Sequence, residues 1–252
     1  MIAAGEFVYA DGRPVCGDEP YEANTFVWFH RPLVPEPSQE WDLRVLHRDE
    51  RLVVVDKPPG LATTPRGTHV TQTAVVLLRR ALDLPDLSPA HRLDRLTAGV
   101  LVLTTEQQWR RPYQEAFEQR RVAKVYEAIA PLREGLAFPR TVRSHIVKRR
   151  GDLQAVELPE EPPNAETTVD LLETRGGLAR YRLVPRTGRT HQLRVHLNRL
   201  GIPILGDPLY PAVAGEALDG DLHLVAREVS FRDPVDGSQR DFASDRLLTW
   251  PG

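Results

Sequence analysis

Runs of apolar residues separated by turn-forming residues predict a chain built largely of β-strands. The run from Leu52 to Val55 is apolar at every position, which is typical of a strand buried on both faces. Lys57-Pro58-Pro59-Gly60 must form a turn, because two prolines and a glycine cannot continue a β-ladder. After the N-terminal segment, strands are predicted at residues 43–47, 51–56, 99–103, 122–130, 141–147, 167–173 and 178–184.

Three stretches carry the signals of helices. Thr71 is predicted to cap a helix that runs to about residue 82, and a second helix follows over residues 106–121, where Pro112 should kink it or mark the start of its regular part. Thr190 is predicted to cap a third helix that ends at about residue 200. Long strands and few helices favour a mixed α+β fold around a largely antiparallel sheet with flanking helices.

A proline-rich stretch divides the chain. Residues 32–37 contain three prolines and are typical of a linker. Before it, short β-like pieces at residues 6–9 and 25–29 are separated by turn residues. We therefore divide the chain into a small N-terminal segment, residues 1–42, and a main domain, residues 43–252.

Composition bounds the class of protein without identifying it. With 252 residues and 41% hydrophobic content, the chain can bury the core of one large domain or two smaller ones. Cys16 is the only cysteine, which excludes an internal disulfide and a cysteine-rich zinc site. Neither an apolar run of about 18 residues nor a signal-peptide pattern is present, so we expect a cytoplasmic protein without a membrane span.

Charge is distributed unevenly, although the formal net charge is only −2. Basic residues cluster near Arg110, between Arg120 and Lys124, and between Arg140 and Arg150, and almost all of them are arginines. Planar guanidinium groups suit phosphate and base contacts. A GC-rich coding sequence is the simpler explanation of so much arginine, so composition alone does not indicate function.

The first candidate for chemistry is the segment from His91 to Gly99, which leads into an apolar strand. Asp94 stands there between Arg92 and Arg95. A carboxylate held among arginines at the edge of a buried strand can serve as a nucleophile or a base. The alternative is an ordinary surface ion pair, which contributes little.

The second candidate is the segment from Arg186 to His196. On a helix that starts near Thr190, Arg189 and Arg194 point in different directions, so the two cannot serve one pocket equally. His191 and His196 have a poor helical spacing for a shared metal ion, and no acidic residue completes a zinc-protease motif. The alternative is an amphipathic helix with a basic polar face.

The third candidate pairs Lys124 with Tyr126. In a strand the two side chains lie on the same face. The tyrosine can then stack on a base while the ammonium meets a phosphate. A half-buried strand tyrosine without such a role is the more frequent case.

Taken together, these segments resemble the RluA-like family of pseudouridine synthases. The shared motifs stand in the family's order and extend over roughly residues 43 to 233. They are Asp56 to Leu61, His91 to Asp94 with Thr97 and Gly99, Lys124 to Tyr126, Ala165 to Thr167, Gly188 to His196, and Leu205 to Tyr210. The resemblance implies the pseudouridine synthase fold, with an RNA-binding cleft, and isomerisation of specific uridines in RNA.

The resemblance also implies roles for individual residues. Asp94 matches the essential aspartate, which attacks the target nucleotide at ribose C1′ or at the uracil ring. Arg194 matches the basic residue that pairs with this aspartate. Tyr126 matches the tyrosine that stacks on the target uracil and helps to remove the C5 proton. Arg92 matches the arginine that helps to displace the target base from the RNA stack.

The remaining motif residues are assigned to substrate binding. By the same resemblance, Leu193 packs beneath the pocket. His91, Arg189 and Lys124 complete the expected substrate-binding set.

The implied reaction sets the expected cofactors and partners. Isomerisation involves no net redox change or group transfer, so neither a metal nor a cofactor is expected. The expected partner is RNA, either ribosomal or transfer RNA. We expect no membrane association, no obligate protein partner and a monomer.

Some positions depart from the family's common pattern. Ala98 stands where many members have serine, and Ile202 and Pro211 differ from frequent choices in the last motif. None of the three has a proposed chemical role. Residues 1–42 look like the closing half of a small S4-type RNA-binding domain without its first helices, so we expect a truncated remnant there.

Two other functions remain open at this point. A catalytically silent RNA-binding protein could keep the cleft, but binding alone has no need of a desolvated carboxylate near phosphates. A nucleoside or glycoside hydrolase breaks the same kind of bond, but it usually needs two carboxylates, and only Asp94 stands in a motif context that suggests chemistry.

Overall fold

The chain divides into two compact units, residues 1–37 and 38–252. In the first unit, β1 (Phe7–Tyr9) pairs antiparallel with β2 (Val27–Phe29). The S4-like character of the N-terminal segment stays a prediction. The computed structural model describes residues 2, 5–20, 22–29, 36, 39–67, 69–215 and 220–251.

The described part of the second unit contains three helices and twelve further strands. None of the described helices is long and apolar enough to cross a membrane. In chain order the elements are β3 (Arg44–Arg48), β4 (Leu52–Lys57), α1 (Ala74–Leu82), β5 (Ser88–Pro89), β6 (Ala98–Thr104), α2 (Gln107–Glu118), β7 (Val122–Pro131), β8 (Arg140–Ser144), β9 (Ile146–Val147), β10 (Val156–Glu157), β11 (Ala165–Arg175), β12 (Leu178–Pro185), α3 (Gln192–Arg199), β13 (Leu224–Arg232) and β14 (Gln239–Ala243).

A ten-stranded sheet organises the described part of this unit. Its main path runs β3-β4-β6-β13-β7-β12-β11-β8, with β5 added beside β6 and β14 beside β13. Among the described strands, β6 and β13 pair parallel and the other neighbours pair antiparallel. The predicted mixed, mainly antiparallel sheet with flanking helices is therefore confirmed.

The apolar run in β4 lies in the centre of the core. All six residues of this strand are buried. Val53 and Val55 pack in one cluster with residues of α1, while Leu52 and Val54 pack in another with residues of α2. Since α1 and α2 cover opposite faces of the sheet here, both faces need apolar residues, as the sequence predicted.

Two helices begin later than predicted. Thr73, rather than Thr71, caps α1, and its hydroxyl accepts a hydrogen bond from the Val76 N–H at 3.4 Å. Helix α3 begins at Gln192, because His191 has φ 58° and ψ 16°. A left-handed residue cannot belong to a right-handed helix, so the predicted cap at residue 190 is wrong.

Buried polar side chains anchor α3 to the sheet. Gln192 donates to the hydroxyl of Thr167 at 2.9 Å and accepts from the hydroxyl of Thr187 at 2.7 Å. His196 is fully buried, and its two ring nitrogens lie 2.9 Å from the hydroxyl of Thr167 and 3.0 Å from that of Ser144. Satisfied buried polar groups of this kind fix the start of α3 against β11.

Gly99 permits the close approach of β6 and β13. The residue has φ +108°, and a Cβ added to it would lie 2.2 Å from the carbonyl oxygen of Ala226. Only glycine fits both the conformation and the contact. Because Asp94 lies in the loop that leads into β6, this approach also positions Asp94.

Gly99→Ala is expected to lower the free energy of unfolding by about 3 kcal/mol or more, because strain and overlap add together. Urea denaturation measures the loss. Gly135→Ala is the matched control, since Gly135 has φ +76° but an added Cβ meets no atom within 4 Å. That variant should lose only about 1–2 kcal/mol. Equal losses would show that the approach to Ala226 does not restrict residue 99.

The stability of the protein should fall as the pH drops from about 6.5 towards 4. Burial lowers the pKa of His196 from 6.5 to about 4, so in this range the unfolded chain binds a proton that the folded protein does not. Between pH 7.5 and pH 5 we expect a loss of about 2 kcal/mol from this group, measured by urea denaturation. Burial lowers the pKa of His91 to about 3, which adds to the effect. His196→Gln should therefore reduce the pH dependence without abolishing it, and an unchanged dependence would contradict the assignment.

Candidate active site

A cavity of about 990 Å³ opens where the loop before β6, strand β7 and the start of α3 meet. These three segments are far apart in the sequence, and the sheet brings them together. All the residues predicted from the sequence to form the site line this cavity: Asp94, Tyr126, Arg194, Arg92, Leu193, His91, Arg189 and Lys124.

Asp94 presents its carboxylate to the cavity. The carbonyl of this residue accepts a hydrogen bond from the Thr97 N–H at 3.1 Å, which closes a turn just before β6. The side chain is 34% exposed. Two basic side chains lie near its Oδ2 atom, with Arg194 Nη1 at 3.6 Å and His191 Nε2 at 3.9 Å. The carboxylate therefore faces a cation and stays accessible to a ligand.

Arg194 is held chiefly by a different carboxylate. Its Nε and Nη2 atoms donate to the two oxygens of Asp207 at 2.8 and 2.5 Å, and both side chains are buried. Asp207 Oδ1 also accepts the N–H groups of Leu209 and Tyr210 at 2.8 and 3.2 Å. Burial lowers the pKa of Arg194, but the hydrogen bonds to Asp207 together with the negative charges of Asp207 and Asp94 more than offset this, and the pKa is raised overall. The position of the guanidinium is thus fixed by Asp207 and does not depend on its contact with Asp94.

Strand β7 supplies another wall of the cavity. Tyr126 is half-buried and packs against two clusters of the core. Burial, together with the charge of Asp94, raises the pKa of its hydroxyl, so the phenol stays protonated at neutral pH. Lys124 is half-buried on the same strand, and burial lowers the pKa of its ammonium group.

The other predicted residues differ in their surroundings. Arg92 is exposed, whereas Leu193 is buried in the core cluster at the base of the cavity. Arg189 donates through Nε to the carbonyl of Asn164 at 3.3 Å. His91 accepts the Val102 N–H through Nε2 at 3.1 Å, so its side chain also holds the loop against β6.

The structure adds residues to which the sequence assigned no role. Lys57 is fully buried and donates through Nζ to the carbonyls of Pro58, Leu61 and Arg95 at 2.9, 2.7 and 3.0 Å. Burial lowers its pKa to about 7. This side chain joins the Pro-Pro-Gly turn to the loop of Asp94. A lysine two residues after an apolar run, at the end of the same strand, was the available signal.

The cavity has a strongly basic lining. Among the lining residues that the structure describes, only Asp94 and Glu118 are acidic. Within the described residues, no three His, Cys, Asp or Glu side chains converge as metal ligands would. The basic lining residues are Arg66, Arg92, Arg120, Lys124, Lys148, Arg186, Arg189 and Arg194.

Comparison with known proteins identifies the family. The model of the RNA pseudouridylate synthase family matches residues 51–199, which is more than half of the chain. The chain belongs to this family. The matched residues include the Asp94 loop, β7 and α3, so the three segments that meet at the cavity all lie within the family match.

Individual relatives agree with this assignment. The dual-specificity RNA pseudouridine synthase RluA of Escherichia coli K12 is 32% identical over 219 residues, which cover 82% of this chain and 94% of that protein. The human pseudouridylate synthase RPUSD2 is 34% identical over 203 residues, which cover 79% of this chain and 36% of that protein. This chain therefore spans about a third of the human relative.

A solved structure shares the fold. Human RNA pseudouridylate synthase domain containing 4 superposes with a TM-score of 0.63 at 29% identity, covering 80% of this chain and 88% of that chain. The mainly antiparallel sheet with few helices is thus the fold of this RNA pseudouridylate synthase family.

Asp207→Asn is expected to lower the free energy of unfolding by about 3 kcal/mol, because it leaves the buried guanidinium of Arg194 without its main anionic partner. Guanidinium chloride denaturation measures the loss. Asp170→Asn serves as the control: its pair with Arg182 is 3.6 Å long and partly exposed, and the expected loss is below about 1 kcal/mol. Similar losses in the two variants would contradict the dependence of Arg194 on Asp207.

Proposed function

We propose that this chain isomerises uridine to pseudouridine within RNA, with Asp94 as its catalytic residue. The observation that carries this proposal is the convergence of Asp94, Arg194 and Tyr126 on one basic cavity. Membership of the RNA pseudouridylate synthase family supports it independently. A hydrolase is disfavoured by the same membership.

The chemistry requires a nucleophile and a confined space. The bond between N1 and ribose C1′ breaks, the uracil turns, and a bond forms between C5 and C1′. The hydrogen on C5 is lost and N1 gains one, so the atoms balance without a co-reactant. The accessible carboxylate of Asp94 can attack either ribose C1′ or the uracil ring, and its geometry is compatible with both.

Arg194 is proposed to position Asp94. The guanidinium cannot turn away from the cavity, because Asp207 holds two of its nitrogen atoms. The remaining nitrogen, Nη1, is the one that approaches Asp94. A fixed cation beside a carboxylate holds it in one orientation without needing to reorganise during the reaction.

Tyr126 is proposed to stack on the target uracil. Aromatic side chains stack on unpaired bases in many RNA complexes. The raised pKa of its hydroxyl makes a phenolate scarce at neutral pH, which supports stacking more strongly than proton removal from C5. Leu193 at the base of the cavity is proposed to pack beneath the ring.

The target base must leave the RNA stack to reach Asp94. Such flipping costs a few kcal/mol (about 2–4), which stacking and backbone contacts offset. Arg92 is exposed and lines the cavity, so it is proposed to occupy the space that the base leaves. Arg189, Lys124 and the loop held by His91 are proposed to bind the flanking nucleotides.

The substrate is proposed to be ribosomal or transfer RNA, reached in the cytoplasm. The basic lining around one small cavity supports a structured RNA that presents a single uridine. We further propose that the protein acts as a monomer without an obligate protein partner, since all the proposed site residues come from one chain. Residues 1–42 are proposed to be related to a small S4-type RNA-binding domain.

Asp94→Asn is expected to reduce single-turnover isomerisation by on the order of a thousandfold or more, because an amide cannot attack the nucleotide. RNA affinity should stay within about threefold of the wild type, since the basic lining is intact. Carbodiimide labelling with primer extension measures the product. Asp83→Asn is the control, because Asp83 lies outside the cavity in a left-handed conformation that asparagine also adopts. Normal turnover by Asp94→Asn would contradict the proposal.

Arg120→Gln is expected to weaken RNA binding and to reduce its salt dependence. Arg120 lines the cavity, and each lost phosphate contact lowers the slope of log affinity against log salt by about 0.7–0.9. Filter binding over a range of salt concentrations measures the slope. Arg111→Gln is the control, because Arg111 lies outside the cavity and pairs with Glu115 on α2. Equal slopes for Arg120→Gln and the wild type would exclude a phosphate contact at residue 120.

A further inference from the structure

His191 lies beside Asp94 in a strained conformation. Its φ of 58° places a non-glycine residue in the left-handed region, which is sterically unfavourable for a residue with a Cβ atom. The side chain is only 11% exposed, lines the cavity, and brings Nε2 to 3.9 Å from Asp94 Oδ2. Strain of this kind at a cavity directs attention to the side chain that it places there.

Tyr210 fixes the other side of the imidazole. His191 Nδ1 lies 3.0 Å from Tyr210 Oη, and the two rings meet edge to face. Tyr210 Oη also accepts the Ala155 N–H and donates to the Ala155 carbonyl oxygen, both at 2.8 Å. Rotation about its C–O bond can turn the hydroxyl hydrogen from Ala155 to His191. A hydrogen on Nε2 faces the negative charge of Asp94, and in that tautomer Nδ1 accepts from Tyr210.

We propose that His191 is a second positioning residue for Asp94, an inference that rests on the proposed function of Asp94. When the Tyr210 hydroxyl turns from Ala155 to His191, the imidazole carries its hydrogen on Nε2, and this N–H is directed at Oδ2, the oxygen that Arg194 also approaches. With Oδ2 held by two donors, Oδ1 is the oxygen presented to the substrate nucleotide. The present separation exceeds a hydrogen bond, and it shortens when the substrate fills the cavity.

The charges around His191 favour a neutral donor. Burial lowers its pKa, the charge of Asp94 opposes this, and Arg194 and Lys148 lower the pKa further, while Asp207 raises it. The pKa is lowered overall, so the imidazole is neutral at neutral pH. A neutral N–H orients the carboxylate without adding a second full positive charge, which would weaken its nucleophilicity.

Two substitutions at residue 191 separate the contacts with Tyr210 and Asp94. The amide of asparagine reaches the place of Nδ1, so His191→Asn keeps the contact with Tyr210 and loses the donor to Asp94. The amide of glutamine reaches the place of Nε2, so His191→Gln keeps a donor beside Asp94. Asparagine also tolerates the left-handed conformation.

We expect His191→Asn to lower kcat by on the order of tenfold or more with KM for RNA unchanged, and His191→Gln to recover a large part of that loss. Steady-state isomerisation of an RNA that contains the target uridine measures both constants. Equal kcat values for His191→Asn and the wild type would overturn the inference. A change in KM alone would overturn it as well, because it would make His191 an RNA contact.

Further variants keep the test decisive. His145→Asn is the matched control, because His145 is half-buried, contacts the carbonyl of Pro162 through Nδ1 and lies outside the cavity, and it should turn over like the wild type. Tyr210→Phe removes only the hydroxyl, and we expect kcat to fall several-fold, about threefold to tenfold, with KM unchanged. Unchanged turnover in Tyr210→Phe would overturn the role of Tyr210. If Asp94→Asn is inactive while His191→Asn turns over normally, only this inference fails. If Asp94→Asn is active, the proposed function itself fails.

Discussion

The site depends on the ion pair between the guanidinium of Arg194 and the carboxylate of Asp207. A buried cation without a partner destabilises a fold strongly, and Asp207 supplies that partner with two short hydrogen bonds. Because Asp207 also accepts two backbone N–H groups, it fixes the chain that follows it, including Tyr210. Since Asp207 holds Nε and Nη2, Nη1 is the nitrogen atom of Arg194 that approaches Asp94. The carboxylate of the site can be one-third exposed because the carboxylate that neutralises the arginine is a different one.

The sheet explains why these groups meet. Asp94 lies in the loop that leads into β6. Strand β6 pairs parallel with β13, and Gly99 allows the close approach of the two backbones. Strand β13 pairs in turn with β7, which carries Tyr126, and β12 and β11 follow in the sheet. Gln192 and His196 hold α3 against β11 through hydrogen bonds to Thr167. Each functional side chain is thus attached to an element with few alternative positions, so the cavity exists before RNA arrives.

The charge around the cavity differs from the net charge of the whole chain. The net charge of −2 gives no indication of an RNA partner, yet most of the charged residues described in the lining of the cavity are basic. Acidic residues that neutralise the total lie elsewhere, many of them in ion pairs on the surface. Binding of a polyanion depends on the field where it docks rather than on the sum over the chain. The family assignment and the basic lining therefore agree, although neither follows from composition.

The sequence by itself determined the features that depend on neighbouring residues. The apolar run of β4, the turn after Lys57, the presence of three helices and the order of the motifs are all local, and they were enough to indicate the family and eight residues that line one cavity. Only the tertiary structure decided that Asp207 holds Arg194, that Lys57 binds the carbonyl of Arg95, and that His191 faces Asp94 from a left-handed residue. Strands β13 and β14 were also missed. The reason is physical: periodicity and turn propensity act over a few residues, whereas these partners are brought together by strand pairing between distant segments, and no local pattern encodes a contact across a sheet.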